Sequence, residues 1–207
     1  MTYQEGLNQV DEATQKITEA NELVVEAIMN AFLFTWQWWI ALAMLIVPWM
    51  IWGLYRNRES SARIFSAGLL VMALSEILDT VGISFGNWAY PVKVIPVATI
   101  NFSFRLSVLP VFAMLLLQFK PRFNPYIKAM FFGGFGAYVG LPLLAMMDLY
   151  KKMDWAYTYS FFIMISMYLL AHWFSRMNSF EKIQLNHAED NGRKLNLDFL
   201  RGKEKIR

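Results

Sequence analysis

Three ionisable residues lie deep inside apolar stretches of this chain: Glu76, Asp79 and Arg105. An ionised side chain in the middle of a bilayer costs between about 3 and 15 kcal/mol, so such residues pair, contact water or perform chemistry. Glu76 lies about nine residues before the end of one apolar segment, and Arg105 about eleven residues after the start of the next, or about 14–17 Å of helix in each case. A helical hairpin therefore brings them to one depth, with Asp79 one turn from Glu76 on the same face.

Two kinds of chemistry fit these residues. In the structural interpretation, Arg105 forms a buried ion pair with one carboxylate and holds two helices in register, which leaves the second carboxylate without a partner. That group must then be neutral or wetted through a cavity, because an isolated buried charge is prohibitive. In the functional interpretation, Glu76 and Asp79 titrate at different pH values, as acid–base catalysis or proton coupling requires. They are then the candidate catalytic residues, and Arg105 holds an anionic group such as a phosphate or a carboxylate.

The segment after Asp79 predicts irregular backbone. Glycine, asparagine and proline interrupt the apolar pattern at Gly82, Gly86, Asn87, Pro91 and Pro96. Irregular backbone at membrane depth is tolerated only where it is buried in protein or lines water, so this segment is either a lid over the charged residues or an interfacial turn. Trp88 and Tyr90 in the segment, and Asn101 beyond it, join Arg105 as candidate substrate-binding residues.

Composition indicates the elements that position these residues. The chain is 57% hydrophobic and only 17% charged, whereas a soluble domain carries about 25% charged residues. Apolar segments with about the 20 residues needed to cross a bilayer lie at 31–55, 64–85, 94–119, 128–149 and 155–174. The sequence therefore predicts an all-α, polytopic transmembrane bundle of five helices over 31–174. An extracytoplasmic, acidic, amphipathic helix over 1–30 precedes it, and a cytoplasmic basic tail over 175–207 follows.

Basic residues predict the orientation. One set of loops and the tail contain Arg56, Arg58, Arg63, Lys120, Arg122, Lys128 and Arg176. The opposite side has only Lys16, Lys93, Lys151 and Lys152. The positive-inside rule therefore predicts a multi-pass protein of the cell membrane with its N-terminus outside and its C-terminus in the cytoplasm. The cationic tail then either adheres to anionic lipid or is solvated.

The N-terminal helix has one apolar stripe. Its residues recur at spacings of three and four: Leu7, Val10, Thr14, Ile17, Asn21, Val24 and Ile28. This helix could continue upward from the first span, lie on the outer membrane face, or pair with a partner helix, with Asn21 setting the register.

The stretch from Glu76 to Tyr90, with two acids, two glycines and a Trp-x-Tyr ending, resembles the lycopene-cyclase domain family. Those small membrane enzymes protonate a polyene and close its terminal ring, so the resemblance implies proton-donating carboxylates at Glu76 and Asp79. Two features depart from that family: Arg105 has no place beside an uncharged polyene, and the repeated three-helix units of the fused enzymes are missing. Over its full length, and most clearly from Phe102 to Pro110, the chain resembles an uncharacterised family of five-span membrane proteins from spore-forming bacteria. That likeness implies topology and no activity.

Other features of the sequence limit which metals, cofactors and partners we expect. The chain has no cysteine and only two distant histidines, His172 and His187, so we expect no metal and no cofactor. Acidic residues interrupt the basic tail, so we expect no nucleic acid. Gly136 and Gly140 form a GxxxG motif for packing within the protein or for a homodimer. The predicted partners are the lipid bilayer and, in the functional interpretation, a lipid-like small molecule. The sequence thus predicts either a binding or scaffold protein of the bacterial membrane or a lipid-phase enzyme or carrier.

Overall fold

The computed structural model describes residues 1–96 and 101–177, and this part of the chain is mostly helical. The helices are α1 (Tyr3–Ala27), α2 (Trp36–Tyr55), α3 (Ser61–Ser84), α4 (Leu109–Gln118), α5 (Pro125–Phe135), α6 (Leu141–Met146) and α7 (Tyr157–Ser175). π-Helical turns at Ile28–Phe32, Phe104–Val108 and Gly136–Gly140 follow α1, precede α4 and join α5 to α6. Two short strands, β1 (Trp88–Ala89) and β2 (Lys151–Lys152), pair antiparallel, with Trp88 opposite Lys152.

Within the described residues, three helices are long and apolar enough to cross a membrane: α2, α3 and the continuous helix Pro125–Met146 that α5 and α6 form. The all-α prediction is therefore confirmed, and the fold is compatible with a membrane protein. The five predicted spans are not confirmed. The apolar helix Phe104–Gln118 is shorter, at about 22 Å against a hydrocarbon core of about 30 Å. The predicted third segment, 94–119, is wrong as one continuous helix, because residues 94–96 are not helical.

The N-terminal helix predicted over residues 1–30 is present as α1. Its first turn is fixed by Thr2, whose hydroxyl accepts from the Glu5 amide while the Glu5 carboxylate accepts from the Thr2 amide. This reciprocal pair satisfies two backbone donors that a helix start otherwise leaves open. The tail predicted from residue 175 lies outside the described residues from 178 onward.

The core forms where α3, α4, α5 and α7 pack together. Small residues at the crossings, such as Ala67 and Ala171, allow close approach around the fully buried Phe132 and Tyr168. Gly136 of the GxxxG motif belongs to this packing: a Cβ there would lie 2.4 Å from the sulfur of Met164 in α7. Packing within the protein is therefore one role of this motif, and a homodimer through Gly136 and Gly140 stays a prediction.

The β1–β2 pair ties together the loops that follow α3 and α6. The Met153 amide also donates to the Asn87 carbonyl at 3.1 Å. Rings pack across the same junction, with Trp88 4.9 Å from Trp155 and Tyr90 5.7 Å from Tyr150 between ring centroids. Both loops therefore lie at the same end of the helices, where they cover the end of α3.

Candidate functional site

Arg105 bridges the two acidic residues of α3. Its side chain has no exposed surface, and its Nη1 atom lies 3.0 Å from Glu76 Oε1. Its Nε atom lies 3.1 Å from Asp79 Oδ2. The predicted meeting of the three charged side chains is confirmed. The expectation that one carboxylate lacks a partner is wrong, because the forked guanidinium presents separate nitrogens to the two acids.

The turn that holds Arg105 is bonded to a neighbouring helix. Pro110 has no N–H, so it cannot donate to a carbonyl in the π-helical turn that precedes it. The Leu106 carbonyl of that turn accepts instead from Trp49 Nε1 of α2 at 3.0 Å. The Ser75 Oγ atom of α3 lies 3.4 Å from the Arg105 carbonyl, but its hydroxyl donates to the nearer Met72 carbonyl at 2.9 Å. A neighbouring side chain thus satisfies a backbone group that a membrane would leave unpaired, and it joins α2 to this turn.

The loop after α3 covers Asp79. Trp88 Nε1 donates to Asp79 Oδ1 at 2.9 Å, and the Tyr90 hydroxyl lies 3.1 Å from Oδ2 and 3.2 Å from Oδ1. Both oxygens of the carboxylate therefore accept hydrogen bonds from the loop, and Oδ2 also forms the ion pair with the guanidinium. Of the two predicted forms of this segment, the structure has the lid. Burial beside the Asp79 charge raises the pKa of the Tyr90 hydroxyl well above its usual 10.0, so Tyr90 is a proton donor to this bond at neutral pH.

Gly82 makes room for the lid. A Cβ at this position would lie 2.1 Å from the six-membered ring of Trp88. The indole therefore packs directly on the backbone of α3, one turn beyond Asp79. The glycine that marked an irregular segment in the sequence is thus a contact surface on a regular helix.

A small cavity of about 60 Å³ borders Asp79. Its walls are mainly apolar and aromatic, and include Trp88, Tyr90, Phe104 and Tyr150. The volume admits a few water molecules, since each needs about 10–15 Å³ by this kind of measure. It is far below the roughly 300–1,000 Å³ of pockets that bind organic ligands.

Lys93 is a further buried cation near the site. The sequence predicts that it lies in an outer loop. Burial, with the nearby Arg105 charge as a smaller cause, lowers the pKa of Lys93 from 10.5 to about 8. The sequence did contain a signal, because Lys93 is the only charged residue between Asp79 and Arg105 and apolar residues flank it.

The remaining candidate residues have structural partners. Asn101 is buried, and its Oδ1 accepts from the Phe104 amide at 3.4 Å, which caps the start of the helix that contains Arg105. The polar atoms of Trp88 and Tyr90 bind Asp79, as described above. The structure therefore brings Glu76, Asp79, Arg105, Trp88 and Tyr90 together, and it places Asn101 at the start of the same helix. Their catalytic and substrate-binding roles stay predictions. Within the described residues, no group of three or more possible metal-binding side chains was found.

Comparison of the chain with protein-family models, with curated proteins and with solved structures gave no match. Both resemblances noted in the sequence therefore stay predictions, and the functional argument depends on the geometry alone.

Proposed function

We propose that this chain is a binding or scaffold protein of the bacterial membrane, in which Glu76, Asp79 and Arg105 form a structural cluster. One observation carries the proposal: the guanidinium is completely buried and both of its carboxylate partners come from the same protein. An arginine in this state has no open face for an anionic substrate. The limited volume beside Asp79 supports the same conclusion.

The cluster joins elements that are distant in sequence. Asp79 and Glu76 belong to α3, Arg105 to the turn before α4, and Trp88 and Tyr90 to the loop between them. Buried ion pairs of this kind add little net stability but penalise arrangements in which one charge loses its partner. We propose that the cluster selects one packing of these segments and so presents a fixed surface to a partner.

Removal of the charges singly and together tests this proposal. Arg105→Met alone leaves the buried Asp79 carboxylate and the half-buried Glu76 carboxylate without their cation, so we expect a lower yield of folded protein than the parent gives. The triple variant Glu76→Gln, Asp79→Asn, Arg105→Met removes every charge of the cluster and keeps acceptors for Trp88 and Tyr90. We expect its yield and thermal midpoint in detergent to approach those of the parent. A triple variant as defective as Arg105→Met would contradict the structural role.

The second candidate is a lipid-phase enzyme or carrier in which Glu76 or Asp79 exchanges protons. Two observations favour it: Asp79 borders the cavity, and the Glu76 side chain is 37% exposed. Infrared difference spectra across a pH titration separate the two candidates. A carboxylic C=O band that titrates in the parent and is lost in Asp79→Asn or Glu76→Gln would support proton exchange. Its absence in the parent would support the structural cluster.

The orientation with the N-terminus outside is part of the same proposal, and it is supported by the basic residues of the loops. The cysteine-free sequence allows a direct test with single cysteines. Asp154→Cys lies in the loop that β2 begins, and Arg122→Cys lies between α4 and α5. We expect a membrane-impermeant maleimide to label the first in intact cells and the second only after lysis. The opposite result would reverse the orientation.

A further inference from the structure

Helix α1 is long and packs little against the rest of the protein. None of its 25 residues is buried. Val10 and Ile17 are 63% and 65% exposed although they belong to the apolar stripe. Burial begins only at Ile28, in the π-helical turn that follows. The apolar stripe is exposed from Tyr3 to Ile17 and half-buried at Asn21 and Val24, so most of this helix has few of the tertiary contacts that supply most helix stability in proteins.

The sequence of α1 repeats every seven residues on three of its faces. The seam, spaced alternately by four and three, consists of Tyr3, Leu7, Val10, Thr14, Ile17, Asn21 and Val24. Beside it, every seventh residue is small: Gly6, Ala13, Ala20 and Ala27. On the opposite face, every seventh residue is a glutamate: Glu5, Glu12, Glu19 and Glu26. In coiled-coil terms the seam is a and d, the small residues are g, and the glutamates are f.

The charges are arranged for contact between identical helices. The f position points away from the seam, so these glutamates stay apart when two copies pair. Asp11, at e, is the acid nearest the seam. The one lysine, Lys16, pairs with Glu12 of its own helix at 2.7 Å and adds no positive face. Small residues at g allow the two backbones to approach closely along one edge.

The same charges disfavour a position on the lipid surface. Helices that lie in the interface of anionic membranes are rich in lysine and arginine on their polar face. α1 has six acidic residues and one lysine: Glu5, Asp11, Glu12, Glu19, Glu22 and Glu26 against Lys16. An anionic surface repels such a helix, whereas an identical seam offers an apolar partner.

We propose that the seam of α1 binds the same seam of a second copy of this chain as a parallel two-stranded coiled coil. Two copies in one membrane have the same orientation, so their α1 helices run parallel. Confinement to the membrane raises the effective concentration, which allows a seam shorter than four heptads to suffice. Asn21, at an a position, favours two strands and fixes the register. The pairing rests on the proposed membrane location, but it uses no residue of the charge cluster and is independent of the role proposed for that cluster.

Single-cysteine cross-linking in native membranes tests the pairing, because the chain contains no cysteine of its own. Val10→Cys and Ile17→Cys place thiols on the seam. Glu12→Cys and Glu19→Cys are matched controls on the opposite face of the same turns. With copper-phenanthroline as oxidant, we expect the seam positions to form disulfide-linked dimers at least about tenfold faster than the controls. Equal rates on both faces, or no dimer at the seam positions, would overturn the proposal.

A second pair of variants tests the seam without depending on thiol geometry. Ile17→Glu adds a charge to the seam, and Gln15→Glu adds the same charge at an outer b position. Since α1 buries no residue in its own chain, both variants should insert normally. In the Val10→Cys background we expect Ile17→Glu to reduce cross-linking at least about tenfold and Gln15→Glu to leave it unchanged. Equal cross-linking in the two variants would also overturn the proposal. A separate measurement uses lipid vesicles that each contain one copy of the protein, so that no second α1 is present. If a charged maleimide fails to label the seam cysteines in these vesicles, the seam lies on lipid and the proposal is overturned.

Discussion

Two cations are buried in the apolar helices that the structure describes, and their charges are stabilised in different ways. Arg105 has no exposed surface and contacts the carboxylates of Glu76 and Asp79. Lys128 is only 7% exposed and forms no ion pair within the described residues; its Nζ donates instead to the carbonyls of Leu116, at 2.8 Å, and Phe119. Leu116 lies in the last turn of α4 and Phe119 directly follows it, where a helix end carries partial negative charge.

The difference shows which buried charge depends on other side chains. Lys128 uses backbone oxygens that any sequence of α4 would provide, and its contact joins the C-terminus of α4 to the first turn of α5. Arg105 needs two particular acids on α3, one of which is further held by Trp88 and Tyr90 of the lid. Loss of Lys128 leaves polar groups that water at a helix end can solvate. Loss of Arg105 leaves full charges where water has little access.

Arg105→Met should have the largest effect. It leaves Glu76 and Asp79 in contact range without their cation, and removal of one partner from a buried ion pair costs about 3–5 kcal/mol. We expect a loss of that size in the free energy of unfolding, measured by denaturation in mixed micelles. If Arg105→Met lost no more stability than Lys128→Met, the proposed difference between the two buried cations would be contradicted.

Gly82→Ala tests how far the arginine site depends on the lid. The added methyl group would meet the Trp88 ring at 2.1 Å, so the indole must move away from Asp79. Overpacking of this kind costs about 1–3 kcal/mol. Gly53→Ala is the matched control, because nothing lies within 4 Å of a Cβ at that position in α2. Equal stability of Gly82→Ala and Gly53→Ala would show that the contact of Trp88 with α3 and Asp79 does not contribute to stability.

Lys128→Met should have a smaller effect than either change at the arginine site. The variant keeps the apolar stem and loses two hydrogen bonds to carbonyls at the end of α4. Charge-assisted bonds of this kind contribute about 1–3 kcal/mol, and solvation of the freed carbonyls should keep the loss near the lower limit. Lys128→Arg, which retains the charge, should recover most of it. A loss as large as that of Arg105→Met would show that the backbone oxygens do not substitute for carboxylates.

The pH dependence of stability should give the smallest effect. The pKa of Lys93 is about 8 in the folded protein and 10.5 as the unperturbed value, so the unfolded chain binds more protons between these limits. Stability should therefore rise with pH from about 8 to 10. Above about 10 the trend should reverse, because burial raises the pKa values of Tyr90 and Tyr150 and the folded protein then retains more protons. Thermal midpoints across this range should show the rise in the parent and a flatter profile in Lys93→Met.

Sequence reasoning found the site because ionisable groups inside apolar segments need partners. The count of helical residues before Arg105 was wrong, because the helix that contains Arg105 begins only after Asn101. Sequence reasoning did not find the carboxylate donors of the lid. The spacing of Trp88 and Tyr90 does not show that both side chains turn back toward Asp79. The position of Asn101 does not show that its side chain caps the next helix.

By itself, the sequence determined that the chain is helical and apolar enough for a membrane, and that three ionisable groups in apolar segments must find partners. These properties depend on composition and on periodicity, both of which are local. Only the tertiary structure decided that one guanidinium serves both acids, that a loop closes over Asp79, and that Trp49 donates to the Leu106 carbonyl near Pro110. Those contacts join α2, α3, the lid and α4, and their geometry follows from how the segments pack rather than from the order of residues within any one of them.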